Sequence, residues 1–124
     1  MITSMNHFTI VAEDPIATSG YYVGLLGLQD GYRPDLGFPG AWLYAGEQAV
    51  LHIIYGRPMP AVRTGVLDHM AFSATGLKET KARFDASGLK YSLTRQRETG
   101  TWQLFSFDPN GARVELDFDP SETL

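Results

Sequence analysis

The sequence predicts an α+β fold of two paired βαβββ modules, and three observations predict it. First, Leu67 to Ala74 (LDHMAFSA) rewrites the pattern of Met5 to Ala12 (MNHFTIVA), with a histidine third and an alternating strand after it. The two stretches start half a chain apart, so each half should be one supersecondary unit. Second, each is followed by a helix-length segment closed by glycine and then by three further strand-like runs. Third, Gly56 to Val66 (GRPMPAVRTGV) has two prolines, two glycines and no periodicity, which marks a connection between the halves.

Taken in order, Met5 to Ala12 puts Phe8, Ile10 and Ala12 on one face, to pack under helices, and His7, Thr9 and Val11 on the other. Asp14-Pro15 supplies an N-cap and a proline at the first helical position, and Gly27 ends the helix, predicting a helix over 15–26. A short strand over 28–33 follows, then a Pro/Gly loop over 34–40. Strands over 41–45 and 49–55 are joined by a tight hairpin at Gly46-Glu47. The second half repeats the order: a strand over 67–74, a helix over 77–86 closed by Gly88, and strands over 89–95, 100–107 and 112–119. The modules thus span about 5–55 and 67–119, with a linker at 56–66, in one domain; units of this size are too small to stand alone. The tail from Pro120 should be frayed.

Composition limits the function classes. At 124 residues, 44% hydrophobic and 19% charged, the chain is an ordinary globular one. A net charge of −4 without a basic run argues against nucleic acid or an anionic membrane as partner. Zero cysteines exclude a disulfide frame, a thiolate metal site and a cysteine nucleophile. The first residues carry no basic and apolar leader pattern, and no apolar run reaches membrane length, so a cytoplasmic protein is expected.

All three histidines fall on predicted strands. His7 and His69 hold the same repeat position, and His52 corresponds within one residue to Glu115. Parity places Glu115 on the polar face of the last strand, with Arg113 and Asp117, and His52 among the aliphatic Val50 and Ile54. If each half curls its strands and the halves pair, His7, His52, His69 and Glu115 converge in one cup. A lone histidine on a half-buried strand is ordinarily a hydrogen-bonded structural residue. Three at matched positions beside a matched glutamate point instead to a divalent metal, and two histidines with one carboxylate and open positions suit non-haem iron(II). Thr9, Ser73 and Gln103 lie on inward faces and could orient a substrate. Tyr44, Tyr55 and Phe105, with Trp42, Trp102 and Phe107, offer surface for a flat ligand or an interface.

NHFTIVAEDP, YYVGLLGL, LDHMAFSA and FDPNGARVELDF together resemble the vicinal oxygen chelate superfamily, which includes glyoxalase I, type I extradiol dioxygenases, fosfomycin-resistance transferases, methylmalonyl-CoA epimerase and bleomycin-binding proteins. The resemblance runs from about Met5 to Asp119. It implies a cup-shaped mixed sheet with helices outside, a divalent metal held by His7, His69 and Glu115, a small-molecule substrate and a homodimer. In glyoxalase I the strand carrying His52 supplies a carboxylate ligand, and this chain departs from that. In extradiol dioxygenases a non-ligand histidine shortly before the second metal histidine serves as acid/base, which fits His52. Their second-shell tyrosine would fall at Phe105, which donates no proton. The first expectation is therefore an Fe(II) extradiol-type dioxygenase on a catechol-like aromatic substrate. Ligation by His52 would favour zinc, nickel or manganese and a glyoxalase-like lyase or isomerase; a non-catalytic small-molecule binder is the third reading.

Overall fold

The structure is a computed structural model describing residues 1–124. It is α+β and divides into two compact units, Met1–Arg63 and Thr64–Leu124, each built around its own four-stranded mixed sheet.

The first unit runs β1 (Phe8–Val11), α1 (Pro15–Ser19), a π-helical segment (Gly20–Leu25), β2 (Gln29–Asp30), β3 (Gly40–Ala45) and β4 (Gln48–Ile54). Its strands lie in the order β1-β4-β3-β2, with β1 parallel to β4 and the rest antiparallel. The second unit repeats this as β5 (Met70–Ser73), α2 (Leu77–Ser87), β6 (Tyr91–Arg95), β7 (Trp102–Phe107) and β8 (Arg113–Phe118), in the order β5-β8-β7-β6. Each unit is a βαβββ module. The alternation in the last strands holds: Leu51 and Ile53 are buried in one, and Val114, Leu116 and Phe118 in the other. Tyr22 and Leu25 complete the first core, and Leu77 and Phe84 the second.

Several boundaries differ from the sequence reading, each for a local reason. The strands expected from Met5 and Leu67 start at Phe8 and Met70, leaving His7 and His69 just ahead of them. At both places side chains take over from the ladder: Gln48 donates to the Asn6 carbonyl at 2.7 Å, and Arg113 to the Asp68 carboxylate at 2.8 Å. The helix expected over 15–26 is α-helical only to Ser19. It then widens, with the Leu26 amide donating to the Tyr21 carbonyl at 3.0 Å, the i→i+5 spacing of a π turn. Both adjacent tyrosines, Tyr21 and Tyr22, are thereby buried. The strand expected over 28–33 shrinks to Gln29–Asp30, past which the Gly31 amide still donates to the Trp42 carbonyl at 3.2 Å and the Tyr44 ring packs where a Gly31 side chain would stand. The Tyr44 hydroxyl also takes the next carbonyl, that of Tyr32. Gly100 and Thr101 belong to a hairpin tip rather than to β7: Gln96 Oε1 accepts from the Glu98 and Thr99 amides there.

Helix capping follows the sequence. Asp14 has extended backbone, and its carboxylate accepts from the Ile16 and Ala17 amides at 2.9 and 3.4 Å. Gly88 closes α2 with φ at +73°, in the left-handed region that side chains rarely adopt. Asp14→Ala is expected to lower stability by about 1 kcal/mol, and Leu51→Ala, which opens a cavity in a fully buried site, by about 2–5 kcal/mol. Urea unfolding at equilibrium checks both values.

Candidate functional site

Each module brings one histidine beside one residue of its last strand, because the first and last strands run parallel and adjacent. In the first module the register is Thr9 opposite His52, and His52 in turn opposite Trp42 on β3. His7, two residues before Thr9, reaches the same face. The result is a three-ring stack. His52 lies 3.7 Å from the His7 ring at 13°, and on its other side 4.0 Å from the Trp42 ring at 10°. Burial lowers the proton affinity of His52, and positive charge on His7 lowers it further; a hydrogen bond to the Ala49 backbone opposes them, and Arg33 adds a smaller repulsion. His52 is therefore held as a neutral imidazole, the form that can ligate a metal or accept a proton. His7 Nδ1 is 2.7 Å from the Asn6 side-chain oxygen, an acceptor for an Nδ1 hydrogen.

The second module has the same plan with different chemistry. Ala71 lies opposite Glu115 in the parallel ladder, and His69 stands two residues before Ala71. His69 Nε2 is 2.8 Å from Glu115 Oε2, and His69 Nδ1 is 2.7 Å from Asp68 Oδ2, which also accepts from Arg113. Glu115 is 5% exposed. Its other oxygen accepts from the Gln103 amide on β7. Burial raises the Glu115 pKa, and the Asp117 carboxyl two residues on raises it further. Asp117 itself keeps Oδ1 buried without a hydrogen-bond partner. Phe105, directly across the ladder from Glu115, meets His69 edge-on at 5.6 Å, and Arg113 lies over its other side at 4.4 Å.

Thr9 lines a cleft in the first module with Trp42, His52 and Ile54. Ser73 is exposed and lies opposite Asp117 in the β5–β8 register. The Tyr44 hydroxyl is engaged by Tyr32, and Tyr55 stands just past β4, its hydroxyl pKa raised by burial and then by Asp30 and Asp14. The structure gathers no group of three or more His, Asp or Glu side chains that could hold a metal ion.

No family model matches the chain, and no curated protein matches it. Solved structures do. The glyoxalase family protein from Enterococcus faecalis shares 29% identity over 92% of this chain and 96% of its own, with a TM-score of 0.67. The genomically encoded fosfomycin resistance protein FosX from Listeria monocytogenes, at 19% identity, covers 94% of this chain and 92% of its own, with a TM-score of 0.72. Lactoylglutathione lyase from Agrobacterium tumefaciens, at 20% identity, covers 99% and 98%, with a TM-score of 0.68. The chain shares the fold of these glyoxalase-family, fosfomycin-resistance and lactoylglutathione lyase structures.

Vicinal oxygen chelate proteins act on small molecules, generally with a divalent metal, and are often dimers. Against that background the residues the sequence reading passed over are the orienting ones. Asn6 and Asp68 each precede a histidine and each engage its Nδ1, so the repeated element is a pair, Asn6-His7 and Asp68-His69. That signal was present in the sequence as an oxygen-bearing side chain before each repeat histidine. Trp42 was visible only as an aromatic residue, because its stacking on His52 depends on the β3–β4 register. No helix is long and apolar enough to cross a membrane.

The His52 environment gives a direct test. By NMR titration His52 should ionise below the ordinary imidazole value, and His7→Gln, which removes the neighbouring charge, should move it back upward. In linkage terms a depressed histidine pKa makes the unfolded chain bind more protons. His52 thus detracts nothing above its unfolded pKa and costs stability as pH falls through the window down to its folded value.

Proposed function

We propose that the chain is a divalent-metal enzyme acting on a small substrate with two adjacent oxygens, by lyase or isomerase chemistry of the glyoxalase kind, and that its metal-ligand candidates are His7 and His52 in the first module and His69 and Glu115 in the second. The observation that carries this reading is the matched anchoring of His7 and His69 through Nδ1. An imidazole fixed at Nδ1 by an oxygen acceptor presents Nε2 in a set direction, the usual support of a metal-binding histidine. The donors suit a borderline divalent ion by their chemistry: imidazole and carboxylate favour zinc, nickel or manganese. His69 faces a carboxylate oxygen at each ring nitrogen, and His69 with Glu115 would be the second module's ligands to a divalent ion. The position of His52, equivalent in its module to Glu115, supports ligation by His52.

Bound there, a divalent ion supplies Lewis-acid polarisation of the substrate's adjacent oxygens. The chain's own groups handle the proton. Glu115 is buried, its Oε1 is fixed by Gln103, and burial raises its pKa, so it takes a proton more readily than an exposed glutamate does. Phe105 and Trp42 present apolar surface beside the donors. The likeness to a lactoylglutathione lyase and to a fosfomycin resistance protein supports an enzyme, and one fold can host more than one chemistry.

The extradiol dioxygenase, with Fe(II) on His7, His69 and Glu115 and His52 as acid/base, is the second reading. The neutral His52 imidazole favours it. Phe105 weighs against it, since the phenyl ring facing Glu115 moves no proton. The deciding assay loads the chain with zinc, nickel, manganese or iron(II) and follows turnover of lactoylglutathione and of catechol, with and without oxygen. Oxygen-independent turnover with a metal other than iron is expected; iron-dependent oxygen uptake with catechol would replace this reading by the second. Asp68→Ala should weaken metal binding about 10- to 100-fold by releasing His69, with Asp68→Asn recovering part of the loss; competition against a chelating dye measures both.

A further inference from the structure

The first module holds a cleft of about 130 Å³ alongside His52, lined by Thr9, Trp42, Ile54, Leu36, Phe38 and Arg33. Its walls are apolar or aromatic apart from Thr9, His52 and one cation, Arg33. The volume is close to that of an apolar cavity that accepts a benzene ring, about 150 Å³. The cleft therefore suits a body about the size of one ring, lying against Trp42 and Phe38.

Arg33 is built into this wall. Its Nη2 donates to the Phe38 carbonyl at 2.9 Å, and its guanidinium lies 5.0 Å from the centre of the Phe38 ring. Room for it depends on Gly40, where an added Cβ would come within 2.9 Å of Nη2 and within 2.3 Å of the Ile53 carbonyl. The segment before it is pinned by the Tyr44 hydroxyl on the Tyr32 carbonyl at 2.6 Å. Despite this support, Arg33 Nε is buried without a hydrogen-bond partner. A second cation, Arg57, lies 5.9 Å from the centre of the same Phe38 ring. Neither arginine belongs to any of the ion pairs of the structure, in a chain whose net charge is −4.

A buried guanidinium N–H without an acceptor is costly, and a fixed guanidinium matches the oxygens of a carboxylate or phosphonate better than any other ligand group. We infer that this cleft is the substrate-acid pocket of the site: the substrate is a compact acid, with a ring-sized apolar body against Trp42 and Phe38 and an oxyanion on Arg33, which is a specificity-determining residue. This inference rests on the proposed function for the word substrate; the anion pocket itself is independent of any metal. The Thr9–His52–Trp42 row carries the cleft up to the donor histidine, so an acid seated on Arg33 extends its body toward His52.

The test uses the full chain, both metal-loaded and chelator-treated, with benzoate, phenylphosphonate and the neutral benzamide as probes, read by isothermal calorimetry and by the Trp42 indole resonance. Benzoate or phenylphosphonate should bind in preference to benzamide and shift Trp42, and whichever binds tighter identifies the oxyanion as planar or tetrahedral. Arg33→Met should weaken the anion by about tenfold or more while leaving benzamide unchanged. Arg33→Lys, which keeps the charge, should recover part of the loss and guards against a folding defect; Arg57→Met should have the smaller effect. Equal affinity for benzoate and benzamide, or anion binding that survives Arg33→Met, overturns the inference. Because the chelated protein is tested as well, a chain that binds no metal would defeat the proposed function while the anion result still stands or falls alone.

Discussion

The parallel pairing of first and last strands is the constraint on which the rest depends. In an antiparallel hairpin the residue opposite a given position is set by a short turn. In each module here it is set by a crossover that includes a helix and two intervening strands. That arrangement puts residues about forty positions apart side by side: Thr9 beside His52, and Ala71 beside Glu115. With side-chain parity, it delivers the histidine preceding each first strand to the face that carries the donor of the last. A slip of one residue in either ladder would turn His52 or Glu115 into the core, displacing Leu51 or Leu116 from it. The apolar residues between the donors therefore protect the site as well as the fold: Leu51 and Ile53 in one strand, Val114 and Leu116 in the other.

The two modules share a plan and divide the chemistry. The first offers imidazoles in an aromatic stack, with positive charge nearby from Arg33. The second offers an imidazole engaged by carboxylates on both sides, on a strand that also carries Asp117. Duplication explains the equivalent positions. The difference at 52 and 115 explains why His52 is easily left neutral while Glu115 holds a proton more readily than an exposed glutamate does. The same divergence shows in the orienting residues: a neutral amide, Asn6, before one histidine and a carboxylate, Asp68, before the other.

Much of this was legible because it is written in short-range periodicity. The repeat, the module order, the N-cap at Asp14, the stop at Gly88 and the inward parity of His52 and Glu115 all depend on neighbours a few residues apart. What was not legible depends on contacts across the sheet. The shortening of β1 and β5 comes from Gln48 and Arg113, distant in sequence, which replace ladder bonds with side-chain ones. The π turn at Gly20–Leu25 answers to the burial of two adjacent tyrosines, a demand that helical periodicity does not encode. The stacking of Trp42 on His52 and the seat of Arg33 over Gly40 likewise need the β3–β4 register. The dioxygenase expectation came from the spacing of His52 before His69. The solved structures of like fold are glyoxalase family proteins, a lactoylglutathione lyase and fosfomycin resistance proteins, so the glyoxalase-type reading stands first.

Counting metal ions decides most about this protein. Cobalt(II) titration of the full chain, followed by its visible spectrum and by equilibrium dialysis, gives both stoichiometry and ligand type. One ion per chain, weakened or lost on either His7→Ala or His69→Ala, is the expected result, because both histidines are proposed ligands. Two ions per chain, or full retention of one ion by either variant, would contradict it.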